Sequence, residues 1–259
     1  MARPWLAALR RRADRPPHKS REPLWLAQPN ACVGSVEVTL ARRMHEAGLP
    51  LSPIAGGWAV SGEPAAALAG IAAWLRDAKL GNGWRNELLP VGDAEGRCHA
   101  AIERGVVRPL GIATHAVHLV GIAEHGGVWV QQRSLSKATD PGLWDTTMGG
   151  LQAFGETAAD TLRRETWEEA GLHLADLRDV TPIGRRTVRR PLPHGYMVEH
   201  IELVECVVPS GCQPVNQDGE VERFECIAID ALLQRLADGA FTLEAAVALV
   251  AWLQRRGVP

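Results

Sequence analysis

The stretch GLQAFGETAADTLRRETWEEAGL, residues 150–172, carries three glutamates, Glu165, Glu168 and Glu169, within five positions. In a helix they stand at i, i+3 and i+4, spacings at which like charges repel and weaken the helix. On a wheel that advances about 100° per residue, Ala159, Leu162, Thr166 and Ala170 form a mildly apolar face. The three acids lie side by side on the sector next to it, at the border between core and solvent. A solvated charged helix usually sets Lys or Arg four residues after Glu. Here Glu169 follows Glu165 at that distance, and only Arg164 and Glu168 pair opposite signs. A divalent cation would remove the conflict, and hard oxygen donors suit Mg2+ or Mn2+. Gly149 and Gly150 stand just upstream, where a backbone can approach a ligand closely or lend it a carbonyl. Gly171 predicts the end of the helix, which should run from about Thr157 to Ala170.

Outward from this stretch the chain reads as mixed α and β. Residues 24–40 suggest strand, turn, strand and a helix start near Thr39. Residues 63–80 predict a strong helix with Pro64 in its first turn and Gly81 after its end. Residues 84–91, WRNELLPV, look extended, and a polar turn follows. After Pro109 the texture changes: ATHAVHLVGIAEHGGVWVQQRS alternates around Gly126-Gly127 and predicts a hairpin. KATDPGLWDTTMGG reads as a loop. Beyond the glutamate helix come further strands, then a last helix over 242–257. Strands and helices in no strict alternation argue for α+β layers. The boundary is expected near residues 105–112, giving 1–108 as a small α+β accessory domain and 109–259 as the domain that carries the glutamates.

Composition narrows the function. The 259 residues suit one large domain or two small ones. With 46% apolar and 22% charged residues the chain has material for a real core. A net charge of −2 gives a nucleic-acid partner little support. No apolar run approaches the roughly 18 to 20 residues of a membrane span. Five cysteines, odd in number and without a CxxC pair, together with no visible secretory signal, point to reduced thiols in a cytosol. The arginine-rich start, WLAALRRRADRPPHKSR, reads as a short helix ending at Pro16-Pro17 rather than a targeting peptide.

The spacing around the glutamates is Gly150, five residues, Glu156, seven residues, Arg164-Glu165, two residues, Glu168-Glu169, one residue, then Gly171-Leu172. This resembles the Nudix box at every fixed position, with Thr166 where an aliphatic residue is usual. The resemblance implies an α/β/α sandwich around a mixed sheet, the box forming loop, helix and loop. It implies hydrolysis of a diphosphate linked to a further moiety, with Mg2+ or Mn2+. Carried over by position, Glu165, Glu168 and Glu169 would be metal ligands and Gly149 or Gly150 would lend a carbonyl. Arg164 would orient the carboxylates, and Glu156 would support the loop or an outer water. The stretches WRNELLPV, ERGVVRPLGIATHAVHLVG, RSLSKATDPG, GYMVEHIELVECVVP and PVNQDGEVERFECI resemble the Nudix subfamily with an extra N-terminal domain. Its eukaryotic relatives are fused to thiamine pyrophosphokinase and its plant relatives stand alone. That subfamily implies cleavage of thiamine diphosphate, or its damaged oxo and oxy forms, to the monophosphate.

Other residues carry a choice of readings. Arg133 and Lys137 either contact the diphosphate or solvate their loop. Glu220, ahead of Glu222, is the favoured later acid for a metal or for general-base work. Trp84, Trp129 and Trp144 could stack a pyrimidine or belong to the core, and the stretch at Trp84 either selects the substrate or packs the two domains together. His115 and His118 read as packed or surface residues, since no partner has metal-ligand spacing. Two rivals share the fold: an isopentenyl diphosphate isomerase, which needs a cysteine that LWDTTMGG lacks, and a non-catalytic ligand-sensing Nudix module. Oligomeric state is not legible.

Overall fold

The hairpin expected around Gly126-Gly127 is the centre of the larger sheet. In a computed structural model that describes residues 4–258, β7 (Ala113–Ala123) and β8 (Val128–Arg133) run antiparallel, but only Gly121 with Trp129 and Ile122 with Val128 pair directly. Beyond those pairs the strands diverge, and residues 144–151 enter the gap. There β9 (Trp144–Asp145) pairs with β8, and β10 (Met148–Leu151) pairs with β7. The stretch read as a loop thus contains two short strands. Strands of two and four residues show no periodicity of their own, and they exist because the neighbours part.

Thr147 sits at the fork and is fully buried. Its Oγ1 accepts the Gly121 N–H at 2.7 Å and donates to the Trp129 carbonyl at 2.6 Å. One hydroxyl replaces the ladder bond that the diverging strands cannot make. Thr147→Val keeps the shape and orphans both backbone groups. It should lower stability by about 1–3 kcal/mol, a loss of several degrees in Tm. A Tm unchanged in thermal unfolding would show that the bridge contributes nothing.

The sheet order is β11 (Arg178–Leu192), β12 (Gly195–Val208), β7, β8, β13 (Val221–Ile227). β12 and β7 are parallel and the other pairs antiparallel, so the sheet is mixed. The glutamate helix, α4 (Ala158–Ala170), covers one face through a core that includes Val117, Leu119, Leu162 and Val204. The other face is covered by α1 (Pro4–Ala13), α5 (Ile229–Ala237) and α6 (Leu243–Arg255). This is the expected α/β/α sandwich. The helix α5 was not expected, although Leu232 and Leu236 stand at helical spacing and are both buried.

The N-terminal half builds a second, smaller α+β unit. Its sheet runs β2 (Ala31–Glu37), β1 (Arg21–Leu26), β4 (Gly57–Val60), β3 (Leu51–Ile54). The helices α2 (Val38–Glu46) and α3 (Pro64–Asp77) and the hairpin β5 (Leu88–Gly92), β6 (Cys98–Glu103) share its core, which extends to Leu110 and Ile112. Pro64 opens α3, and the Glu63 side chain accepts from Ala65 N and Ala66 N, capping the helix. The first helix does not join this core. Leu9 and Ala13 of α1 pack with α6, in the core of the other half. No helix among the described residues is long and apolar enough to cross a membrane.

Candidate active site

Helix α4 begins with a reciprocal cap between Thr157 and Asp160 and ends at Gly171, whose φ of 60° is left-handed. These two stops fix the phase of the helix, so that Glu165 and Glu169 face the forked sheet. Ala159, expected on the apolar face, is exposed. Glu169 is 1% exposed. Its Oε2 accepts from Gln131 Nε2 at 2.8 Å and from Gly149 N at 3.0 Å, and its Oε1 lies 3.5 Å from Lys137 Nζ. Glu165 lies against Gly150 so closely that a Cβ there would fall 2.1 Å from the Glu165 Cδ. Burial pushes both carboxyls up to about 7, against the pull of Arg164 on Glu165 and of Lys137 on Glu169.

Arg164 ties the cluster together. Its Nε and Nη2 donate to Glu156 at 2.6 and 2.9 Å, and its Nη1 donates to Glu165 at 2.8 Å and Glu168 at 3.0 Å. Nη2 also reaches the Leu151 carbonyl at 3.2 Å. The fork with Arg164 holds Glu156 down at about 2 and raises the guanidinium in turn. Glu156 also accepts from Ala153 N and Thr161 Oγ1, so it pins the loop ahead of the helix.

Opposite the helix, Lys137 pairs with Glu220 as well as Glu169. Burial raises the Glu220 carboxyl, but the hydrogen bond and charge of Lys137 outweigh it and leave it below its usual value. Arg133 donates to the Thr139 carbonyl and lies 3.5 Å from Asp145. Glu222 is exposed and outside this cleft. Among the described residues, no three His, Cys, Asp or Glu side chains are gathered closely enough to hold a metal as they stand. Arg164 draws Glu168, and Lys137 draws Glu169. The donors themselves fit a hard cation: carboxylates crowded at Gly149 and Gly150, and the buried Gln131 Oε1, which has no hydrogen-bond partner.

From the glutamates the cleft runs past His118 and Asp145 to Arg104, Arg108 and Glu199. His118 is buried with Nδ1 2.9 Å from Thr146 Oγ1, and burial lowers its pKa. Asp145, also buried, accepts from Thr146 N and Thr242 Oγ1. His115 faces His200 instead, with ring centroids 5.3 Å apart.

None of the three tryptophans lines the cleft. Trp84 lies under the Arg76 guanidinium, 4.7 Å from it, and donates to Asn86 Oδ1. Trp144 is buried between Arg235 and Arg223, 4.4 and 5.4 Å from its ring. Trp129 packs against the α4-side core. The residues that do line the deep end, Arg104, Arg108, Thr114 and Glu199, were not singled out from sequence. Only Glu199 had a signal, as a charged residue among the alternate apolar positions Met197, Ile201 and Leu203.

The NUDIX domain family model matches residues 113–247. The chain belongs to the Nudix family. Residues 150–172 are its Nudix box, set at the fork of the sheet. Nudix hydrolase 20, chloroplastic, of Arabidopsis thaliana is 30% identical over 167 residues, 63% of this chain and 45% of that protein. The chain therefore spans less than half the length of this plant relative. The isopentenyl-diphosphate Delta-isomerase of Corynebacterium glutamicum (strain R) is 30% identical over 144 residues, 54% of this chain and 75% of that protein. Among solved structures, DR0079 from Deinococcus radiodurans superposes with a TM-score of 0.50 at 21% identity, covering 66% of this chain and 98% of its own. That likeness concerns the fold.

Proposed function

We propose that this Nudix protein is a metal-dependent diphosphohydrolase that cleaves thiamine diphosphate, or its damaged oxo and oxy analogues, to the monophosphate and phosphate. The observation that carries the reading is the crowding of Glu165 and Glu169 against Gly149 and Gly150, at one end of a cleft whose other end is rich in arginine. Glu165, Glu168 and Glu169, with a carbonyl of Gly149 or Gly150, would hold Mg2+ or Mn2+. When bound, such a cation neutralises diphosphate charge and makes an attacking water more acidic. Arg164 orients the carboxylates. Arg133 and Lys137 face the diphosphate. Glu220, ionised beside Lys137, would take the proton of the water. The water oxygen bonds to the terminal phosphorus as its bridging P–O bond breaks, releasing phosphate and the monophosphate. Within residues 1–108, the unit from β1 to β6 acts as an accessory domain that shapes the organic end of the cleft and performs no chemistry, while α1 belongs to the core of the other half. A small-molecule diphosphate is the partner, in place of nucleic acid or membrane, and the protein acts in a cytosol.

The isomerase relative supports a second reading, but that reaction needs a cysteine in the site. No cysteine lines the cleft among the described residues. A hydrolysis screen with Mg2+ or Mn2+ against thiamine diphosphate, its oxo and oxy forms, ADP-ribose, NADH, oxidised deoxynucleoside triphosphates and isopentenyl diphosphate tests both. Release of phosphate and monophosphate from the thiamine compounds is expected. Isomerisation of isopentenyl diphosphate without hydrolysis of any compound would overturn the proposal.

The cation has a signature apart from turnover. The carboxyls of Glu165 and Glu169 sit at about 7, above their ordinary 4.5. In the metal-free protein their contribution to stability is complete below the ordinary value and is lost as pH rises through 7. Carboxylates must release those protons to ligate a cation. After chelation, added Mg2+ or Mn2+ should therefore raise Tm more at about pH 8 than at about pH 5.5. An equal shift at both, or none, contradicts the assignment.

A further inference from the structure

Four arginines and two glutamates line the deep end of the cleft, and several of them already have partners. Arg104 Nη1 donates to Glu87 at 2.7 Å, and Arg190 Nη2 donates to Glu244 at 3.1 Å. Of the rest, Arg85 is exposed, and Arg108 and Glu199 are the two that are partly buried. Among the described residues the Arg108 guanidinium makes no hydrogen bond and no ion pair, although it is half-buried and feels Glu199 across the cavity. Glu199 is engaged at one oxygen alone, where Thr114 Oγ1 donates to Oε2 at 3.0 Å. A guanidinium and a carboxylate oxygen thus point into one cavity, with Leu89, Ile112, Leu151 and Met197 as apolar walls.

The backbone that carries each group is held in place. The Arg108 carbonyl accepts from Gly111 N at 3.1 Å and Tyr196 N at 2.9 Å, and a Cβ on Gly195 would fall 2.2 Å from it. A Cβ on Gly105 would meet the Gly83 carbonyl at 1.8 Å, so the Arg104–Arg108 segment is wedged between two glycines. Glu103, 3% exposed, accepts from Arg85 N, Glu87 N and Gly105 N and ties the Gly83 loop to that segment. Glu199 is fixed by strand register, being the parallel partner of Thr114. Unpaired polar groups between apolar walls, carried on a fixed backbone, are a recognition surface rather than a fold support.

We propose that Arg108 and Glu199 together read a donor–acceptor edge on a planar ring in the organic half of the substrate. The inference rests on the cleft being the diphosphate site, and it assigns the specificity of that site to these two residues. Arg108 donates to a ring acceptor, and the free oxygen of Glu199 accepts from a ring N–H or exocyclic amine. A diphosphate without such an edge leaves both groups unpaired, and a site built for hydrogen bonds discriminates strongly against it.

The test is equilibrium binding by titration calorimetry under chelation, so that turnover plays no part. The probes are thiamine diphosphate, ADP-ribose and, as the ringless control, methyl diphosphate. In the wild type at least one ring-bearing probe should bind 10-fold or more tighter than methyl diphosphate. Arg108→Met and Glu199→Gln should each bring that ratio below about 3-fold, the ratio cancelling any change in the affinity for the diphosphate itself. Glu199→Gln removes an enclosed charge and keeps the shape, so it secures the test if Arg108→Met does not fold. A folded variant that retains the wild-type ratio overturns the proposal, as does a wild-type ratio near one. If the wild type binds and hydrolyses no diphosphate at all, the diphosphohydrolase reading fails and this inference fails with it. Hydrolysis without ring preference removes the inference alone.

Discussion

Glu169→Gln is expected to lower kcat by about 100-fold or more while the protein stays folded. The side chain is buried and its Oε2 takes two donors, Gln131 Nε2 and Gly149 N. A glutamine keeps that shape by placing its carbonyl oxygen there, but its amide then faces Lys137 in place of a carboxylate oxygen. The charge and the contact with Lys137 are lost, and the two hydrogen bonds to Oε2 survive. Removing a buried charge whose carboxyl sits at about 7 also relieves a desolvation cost near neutral pH, so Tm should not fall. Glu168→Gln should behave alike, with a few tenths of a kcal/mol of relief along the helix. Either variant with near-wild-type kcat at saturating metal would remove its residue from the cation site.

Gly150→Ala carries the other large effect. The added methyl carbon would fall 2.1, 2.2 and 2.3 Å from Cδ, Cγ and Oε1 of Glu165. No such contact exists, so Glu165 must leave its place between Gly150 and Arg164. The backbone at residue 150 has no positive φ, so alanine itself is not strained there and the fold has no reason to fail. Misplacing a reacting group by about 1 Å costs on the order of 100-fold in rate, and a loss of that size is expected with Tm within a few degrees of wild type. Full activity would show that the carboxylate of Glu165 can work from elsewhere.

What was legible in the sequence follows from how each part is built. The Nudix box is contiguous, and its helix is delimited by Thr157 and Gly171, residues whose conformational roles are local. The grouping of Gly149, Gly150, Glu165 and Glu169 therefore showed in the spacing, and the resemblance to the Nudix box added Arg164. The deep end of the cleft did not. Arg108 comes from the link between the two units, Thr114 from β7, Glu199 from β12 and Glu244 from α6, and only the parallel register of β7 and β12 brings the middle two together. Trp84 and Trp144 looked like ring-stacking candidates because a tryptophan is large and flat. Each spends its face on an arginine instead. Strands β9 and β10 depend on a gap that opens only once β7 and β8 have parted, and nothing within residues 138–151 announces it.

Helix α1 brings the chain's opening turns against its closing ones. Trp5, Leu6 and Leu9 lie on the same core as Leu249 and Trp252. A fragment beginning at residue 109, the natural choice for anyone wishing to study the box alone, would leave that stripe of α6 bare and prone to stick to itself. Supplied as a separate peptide, residues 4–14 would have a ready docking groove, so the molecule lends itself to a split-protein reporter in which the tail recruits the head.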